Sequence, residues 1–212
     1  MMKRNGMFIL ATEAKLFTYS NSMVHKAQSK LDPQVFSAAK VIELADNSEL
    51  NAFLIEINIL ADCDHHYILK LYEAYFFDNK LWYFLEFCPG GALDDIIIEL
   101  DHGFSELQIV CVTKQLIEAL SYLHSRRIIH RDVKAGNMLL CSQGTIRLAD
   151  FGVSCINKRT ISKRDTFIGT PYWMAPEIFN FVIKRHVEKQ PELNRDMHTK
   201  IAFFFDKKPG GL

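Results

Sequence analysis

The sequence lacks an excess of charge of either sign: 25 Lys and Arg face 25 Asp and Glu. No global field draws the chain to nucleic acid or to an anionic membrane, so any anionic ligand must be held by a local site. Paired cysteines are missing as well. Cys63, Cys88, Cys111, Cys141 and Cys155 are odd in number, widely spaced and without a CxxC pair, which argues against a disulfide framework or a zinc clip and for a reducing, cytoplasmic setting. Long apolar runs are also lacking. The most apolar N-terminal run, MFILA at Met7–Ala11, is too short for a signal-peptide core or a membrane span, and Glu13 and Lys15 follow it. A soluble protein is expected. There is no internal repeat and no low-complexity tract.

What is present is a 212-residue chain with 49% hydrophobic residues, enough for one large domain or two small ones around a buried core. From Val35, VFSAAKVIEL reads as a strand, because β-branched and apolar residues run to a polar stop at Glu43. Residues 48–60 then place Leu50, Phe53, Leu54, Ile57 and Leu60 at helical spacing, with Ser48 as N-cap. Two apolar runs, ILKLYEAYFF and LWYFLEF, flank DNK at Asp78–Lys80 and predict a hairpin. After CPGG at Cys88–Gly91 the period turns helical. Ser105 and Gln108 fit a capping box, and Leu107, Val110, Leu116, Ile117, Leu120 and Leu123 form an apolar stripe up to Ser125. From Ile178 onward isolated aromatics mix with charges and no period is sustained.

The chemistry concentrates at His130–Gly152, HRDVKAGNMLLCSQGTIRLADFG. Phosphoryl transfer asks a protein for positioning, magnesium and groups that neutralise charge on the phosphate. Asp132 suits a base that accepts a hydroxyl proton, Asn137 an oxygen ligand five residues on, and Asp150 a hard carboxylate for magnesium. Upstream, Lys40 on the first predicted strand and Glu56 on the helix are set to pair, holding Lys40 against nucleotide phosphates. Cys63, His65 and His66 in CDHH lack the second half of a metal-ligand set and read as a turn.

These residues resemble a eukaryotic protein kinase. The motifs are AAK at Ala38–Lys40, a helix glutamate sixteen residues later, HRDVKAGN at His130–Asn137, DFG at Asp150–Gly152 and GTPYWMAPE at Gly169–Glu177. EFCPGGALD at Glu86–Asp94, RLADFGVS at Arg147–Ser154 and KRDTFIGTPYWMAPE at Lys163–Glu177 are similar to the sterile-twenty-like serine/threonine branch. The resemblance implies an α+β bilobal fold, with an antiparallel N-lobe sheet plus one helix and a mostly helical, incomplete C-lobe. It implies ATP and Mg2+ as cofactors and a Ser or Thr on a protein as substrate, with Lys134 the serine/threonine mark.

By the same resemblance Val24, Ala38, Lys40, Glu56, Glu86, Cys88 and Asp150 surround the nucleotide, the hinge at Glu86 and Cys88 follows gatekeeper Leu85, and Asn137 and Asp150 hold the metal. Thr166 is the phosphorylated position of the activation segment and Thr170 lies where substrate is received; this segment also carries kinase dimerisation. His130 is expected to pack and hydrogen-bond rather than to react.

Two departures from the family's pattern stand out. The three glycines of its nucleotide loop should fall at Phe17, Tyr19 and Ser22, and none is glycine. Nothing in residues 178–212 resembles the family's later helices. The expected organisation is a divergent segment 1–23, a partial kinase domain 24–177 with its N-lobe to about residue 87, and an unrelated tail 178–212. Apolar positions left uncovered on the helix ending at Ser125 would each forgo about 1.5–3 kcal/mol, so a poorly folded or chaperone-bound product is expected unless the Phe-rich tail covers them.

Overall fold

The computed structural model describes residues 7–19, 22–44, 47–152, 154–156, 170 and 173–175. The chain divides into two compact units, Met1–Arg164 and Asp165–Leu212. Within the described part of the second, Trp173 donates its backbone N–H to the Thr170 carbonyl at 3.0 Å. All elements named below belong to the first.

An antiparallel five-stranded sheet runs in the order β1-β2-β3-β5-β4. Its strands are β1 Phe8–Tyr19, β2 Ser22–Ser29, β3 Phe36–Glu43, β4 Leu71–Phe77 and β5 Lys80–Glu86. β3 is the strand expected from its β-branched run. The β4–β5 hairpin turns on Asp78 and Asn79, both at φ 53°; two consecutive left-handed residues make the turn whose twist matches that of the flanking strands, and Asp and Asn tolerate it better than most side chains.

Helix α1, Asn47–Asp62, connects β3 to β4. Ser48 lies inside its first turn rather than at the cap, since the helix already includes Asn47. The inward stripe also differs from expectation. Leu50, Phe53 and Ile57 pack against Ile42, Leu44, Leu81 and Tyr83 of the sheet region, while Ile59 and Leu60 enter a second core and Leu54 is exposed. The helix serves two cores from two faces, so the solvent-facing arc is narrower than a one-sided pattern implies.

Beyond the sheet lie β6 Gly91–Ala92, α2 Leu93–Leu100, α3 Glu106–Ser125, β7 Ile128–Ile129, β8 Met138–Leu140, β9 Ile146–Leu148 and β10 Cys155–Ile156. β6, β8 and β9 form one small sheet, and β7 pairs with β10. The described architecture is α+β. Its larger core gathers Ile59, Leu60, Ile68, Leu93, Leu123, Ile128, Met138, Ile146, Leu148 and Phe151, so α1, α3 and the short strands are held by one shared apolar mass. α3 begins as its sequence predicts: Ser105 accepts from the Gln108 N–H and the Gln108 side chain accepts from the Ser105 N–H, a complete capping box. Its stripe is only half used. Ala119 and Leu123 are buried, and Leu116 and Leu120 pack on the core, but Leu107, Val110 and Ile117 are exposed. Periodicity fixed their angle about the helix axis; coverage depends on a partner, and the core meets mainly the C-terminal half of α3.

Candidate active site

The sheet register brings the first site residues together. Val24 on β2 pairs with Lys40 on β3, which pairs with Tyr83 on β5; Lys26, Ala38 and Leu85 form the adjacent cross-strand row. Directly paired residues share a face, so Val24, Ala38, Lys40 and Leu85 occupy one side of the sheet. Lys40 reaches across Tyr83, its ammonium 5.8 Å from the ring centroid, towards α1. There Nζ lies 3.8 Å from Glu56 Oε1. Glu56 is buried at 4% exposure; among the described residues its Oε2 has no partner at good hydrogen-bond geometry, and the Phe151 backbone N–H is the group that favours its charge there. Burial pushes its carboxyl up, Lys40 pulls it back, and the nearby Asp150 charge raises it again. A buried carboxylate with a poorly satisfied oxygen is costly, and such sites concentrate where function demands them.

A second group sits on the loop between β7 and β8. His130 is fully buried; its Nε2–H donates to the Ala149 carbonyl at 3.0 Å and its Nδ1 accepts from the Asp132 N–H at 3.3 Å. That assignment uses both ring nitrogens of the neutral tautomer. Burial holds the imidazole below its ordinary value. The Phe151 ring stands edge-on to it at 4.8 Å, and Ser154 Oγ donates to the His130 carbonyl. His130 is thus the post that ties the HRD turn to the DFG turn, as expected of a packing residue.

Asp132 follows with its carboxylate gripped from two sides. Lys134 Nζ lies 2.8 Å from Oδ2, and Asn137 Nδ2 donates to Oδ2 at 3.0 Å and to the Asp132 carbonyl at 2.8 Å. A 3-10 turn, Ala135–Asn137, curls the chain so that residues five apart meet. With the Asn137 amide nitrogen engaged there, its oxygen is the end offered to a cation. Arg131 and Asp150 both adopt left-handed backbone, at φ 73° and 63°, a strained conformation for side-chain-bearing residues that recurs at functional sites.

Asp150 and Glu56 flank Gly152. A Cβ at Gly152 would lie 3.4 Å from Asp150 Oδ1 and 3.7 Å from Glu56 Oε2. The Lys40–Glu56 pair and Asp150 therefore share one neighbourhood. Asn137 and Asp150 together present an amide oxygen and a carboxylate, the hard donors that magnesium prefers, so this donor set fits the ion.

At the far end of β5, Glu86 donates its N–H to the Lys70 carbonyl at 2.8 Å and pairs its carboxylate with Arg147 Nε at 2.8 Å. Cys88 accepts at its carbonyl from the Gly91 N–H at 3.2 Å, and its Sγ lies 3.2 Å from that of Cys141. Sequence reading named Glu86 and Cys88 but missed Arg147 and Cys141. Sixty-one and fifty-three residues separate these partners, and no local pattern announces such a meeting. Thr170 belongs to the second unit and is half-buried there; Thr166 lies outside the described residues, as do the tail phenylalanines Phe203–Phe205. His65, in the CDHH turn, stacks on Tyr122 with centroids 4.7 Å apart, and its Nδ1 accepts from the Tyr67 N–H.

Strand-borne lysine, helix glutamate, HRD loop and DFG turn in this arrangement define a protein kinase domain. Residues 18–193 match the protein kinase domain family, and the chain belongs to that family. Among curated relatives, it is 59% identical over 155 residues to serine/threonine-protein kinase 10 of Homo sapiens and to that of Danio rerio, covering 73% of this chain and 16% of each relative. It is 43% identical over 155 residues to serine/threonine-protein kinase dst1 of Dictyostelium discoideum, covering 73% of this chain and 20% of that protein. The chain therefore spans less than a quarter of the length of these relatives. The serine/threonine kinase resemblance read from the motifs agrees with them. Among the described residues no helix is long and apolar enough to cross a membrane.

Proposed function

We propose that this chain transfers the γ-phosphoryl group of ATP to a serine or threonine hydroxyl of a protein. The observation that carries the reading is the meeting of Asp150 and Glu56, the partner of Lys40, around Gly152, with the Asp132–Lys134–Asn137 cluster tied to the same turn where the Ala149 N–H donates to the Asn137 carbonyl at 2.8 Å. Asp132 accepts the hydroxyl proton; Lys134 and Asn137 hold its carboxylate oxygen in place. Lys40, steered by Glu56, meets nucleotide phosphates beneath β2 and β3, and Val24, Ala38, Leu85, Glu86 and Cys88 line the adenine end. Asn137 and Asp150 hold Mg2+, which when bound neutralises charge on the phosphates. Thr166 is the phosphorylated position that regulates the domain, and Thr170 contacts the substrate. We assign the catalytic part to residues 24–177 and a cytoplasmic setting.

Thermal unfolding of the purified chain with and without millimolar Mg-ATP, paired with a peptide phosphorylation assay, tests this. An upward shift and transfer that is lost in Asp150→Asn support it; no shift, or transfer that survives that substitution, refutes the metal assignment. A second reading follows from the absence of glycine at Phe17, Tyr19 and Ser22: a kinase fragment that binds partner proteins without transfer. It predicts capture of a full-length relative equally by the chain and by its Lys40→Met variant, with no transfer by either.

A further inference from the structure

Cys88 and Cys141 are remote in sequence, yet the structure sets them side by side. Cys88 closes the segment leading out of β5, and Cys141 follows β8. Their sulfurs lie 3.2 Å apart, and both residues are half-buried and reduced. The backbones that carry them are in contact. The Gly90 N–H donates to the Leu140 carbonyl at 2.9 Å, and Gly91 pairs with Leu140 in the β6–β8 register. Gly90 approaches so closely that a Cβ there would stand 2.8 Å from Leu140 Cβ and the Leu140 carbonyl oxygen, so only glycine permits this spacing. The Cys141 N–H is fixed in turn to the Thr145 carbonyl at 2.7 Å.

Closing two sulfurs from this separation to a covalent bond of about 2.05 Å takes roughly 1 Å of movement, within reach of side-chain rotation. We propose that Cys88 and Cys141 form a reversible disulfide on exposure to a peroxide, tying the segment after β5 to β8. The proton is unevenly shared before reaction. Contact with Cys141 and burial push the Cys88 thiol up, whereas contact with Cys88 outweighs burial and holds the Cys141 thiol down; the Arg147 guanidinium lowers both. Attack through either sulfur yields the same bond; by one route the Cys141 thiolate reacts first. It displaces hydroxide from the peroxide O–O bond and becomes a sulfenic acid. The Cys88 sulfur then attacks that sulfur; the S–O bond breaks, and the leaving hydroxide takes the Cys88 proton as water. Two thiols are oxidised and one hydrogen peroxide is reduced to two waters.

The proposal stands apart from phosphoryl transfer, because the crosslink is read by mass whether or not the chain is an active kinase. Tryptic residues 81–114 contain Cys88 and Cys111, and residues 135–147 contain Cys141. Cys111 is exposed and lies outside the site, so the chain is prepared as Cys111→Ser, treated with hydrogen peroxide in native buffer and, separately, in concentrated urea. Free thiols are then blocked with N-ethylmaleimide before digestion without reductant. In native buffer the linked pair 81–114/135–147 appears with matching loss of both alkylated peptides; it reverts with dithiothreitol and is absent from Cys141→Ser and from Cys88→Ser. Recovery of both cysteines singly alkylated, at exposures that fully oxidise added glutathione, overturns the proposal. So does linkage that is equally frequent in urea or spread evenly over pairings with Cys63 and Cys155, since the bond would then owe nothing to the fold.

Discussion

His130 shows how much of this candidate site rests on a buried side chain outside the proposed chemistry. Its two ring nitrogens are engaged by Ala149 and Asp132, and a proton on Nδ1 would forfeit the second contact. Unfolded, it takes up that proton near its ordinary 6.5; folded, it does so only at lower pH. Between those values the unfolded chain holds more protons, so stability is lost as pH falls. Urea midpoints measured between about pH 7 and about pH 5 should therefore drop, and His130→Gln should flatten that part of the curve; an unchanged slope in the variant would assign the loss elsewhere. Glu56 carries the opposite sign. Its folded value is raised above 4.5, so the folded state holds the extra proton, and stability is lost as pH rises through that window. At neutral pH, Glu56→Gln should raise the urea midpoint, with the difference from the parent vanishing towards acid, while phosphoryl transfer falls because Lys40 loses its guide. A variant that loses stability at neutral pH would mean that the Lys40 pair outweighs the cost of burying the carboxylate. Asp132→Asn keeps the shape of the cluster and removes the proposed base; it should lower transfer by about 10²–10⁴-fold with the melting temperature nearly unchanged.

At the scale of elements, α3 separates what a pattern can foresee from what it cannot. The capping box was legible because both partners lie within one turn, and Ser105→Ala should cost about 0.5–2 kcal/mol in chemical denaturation. Leu123 and Ile117 look equivalent on the predicted stripe. The first is fully buried and the second 59% exposed, so Leu123→Ala should cost about 2–5 kcal/mol and Ile117→Ala no more than about 0.5 kcal/mol; equal losses would show that Ile117 is covered in solution. The same distinction explains Leu54 on α1. The Asp78–Asn79 turn was legible for a local reason as well, being written in residues that tolerate positive φ. Strand β1 was not: its pairing with β2 breaks register on both sides of Lys15, so FILATEAKLFTY carries no clean alternation. Within the site, Asp132, Lys134 and Asn137 fall in one short loop and Lys40 and Glu56 on adjacent elements, so sequence could reach them. Arg147 and Cys141 meet Glu86 and Cys88 only because β6, after β5, pairs with β8 and β8 pairs with β9.

Across the whole first unit, the two halves of the proposed site come from different elements: the sheet and α1 supply Lys40 and Glu56, and the loops around β8 and β9 supply Asp132, Asn137 and Asp150. A nucleotide bridging them needs its phosphates covered from the β1–β2 end of the sheet. The family match begins at residue 18, and β1 ends at Tyr19 while β2 starts at Ser22, with Phe17 paired to Val24. The hairpin end thus lies next to the row that contains Lys40. A glycine-rich loop at this place works because a backbone without Cβ atoms approaches the phosphates and donates its N–H groups to them. Phe17, Tyr19 and Ser22 stand where those glycines are expected. Replacing all three with glycine should restore such donors, and each hydrogen bond to a charged phosphate is worth about 1.5–3 kcal/mol, so Mg-ATP affinity should rise by about tenfold or more. The same change removes side chains from strand positions at about 0.5–1 kcal/mol each, so the melting temperature without nucleotide should fall even as the shift on adding Mg-ATP grows. Calorimetric titration of the parent and the triple variant measures the first effect and thermal unfolding the second. Tighter binding with a lower starting stability is the expected pair of results; unchanged or weaker binding by a folded triple variant would mean that the side chains at this hairpin, and not the lost glycines, are compatible with the phosphates as they stand.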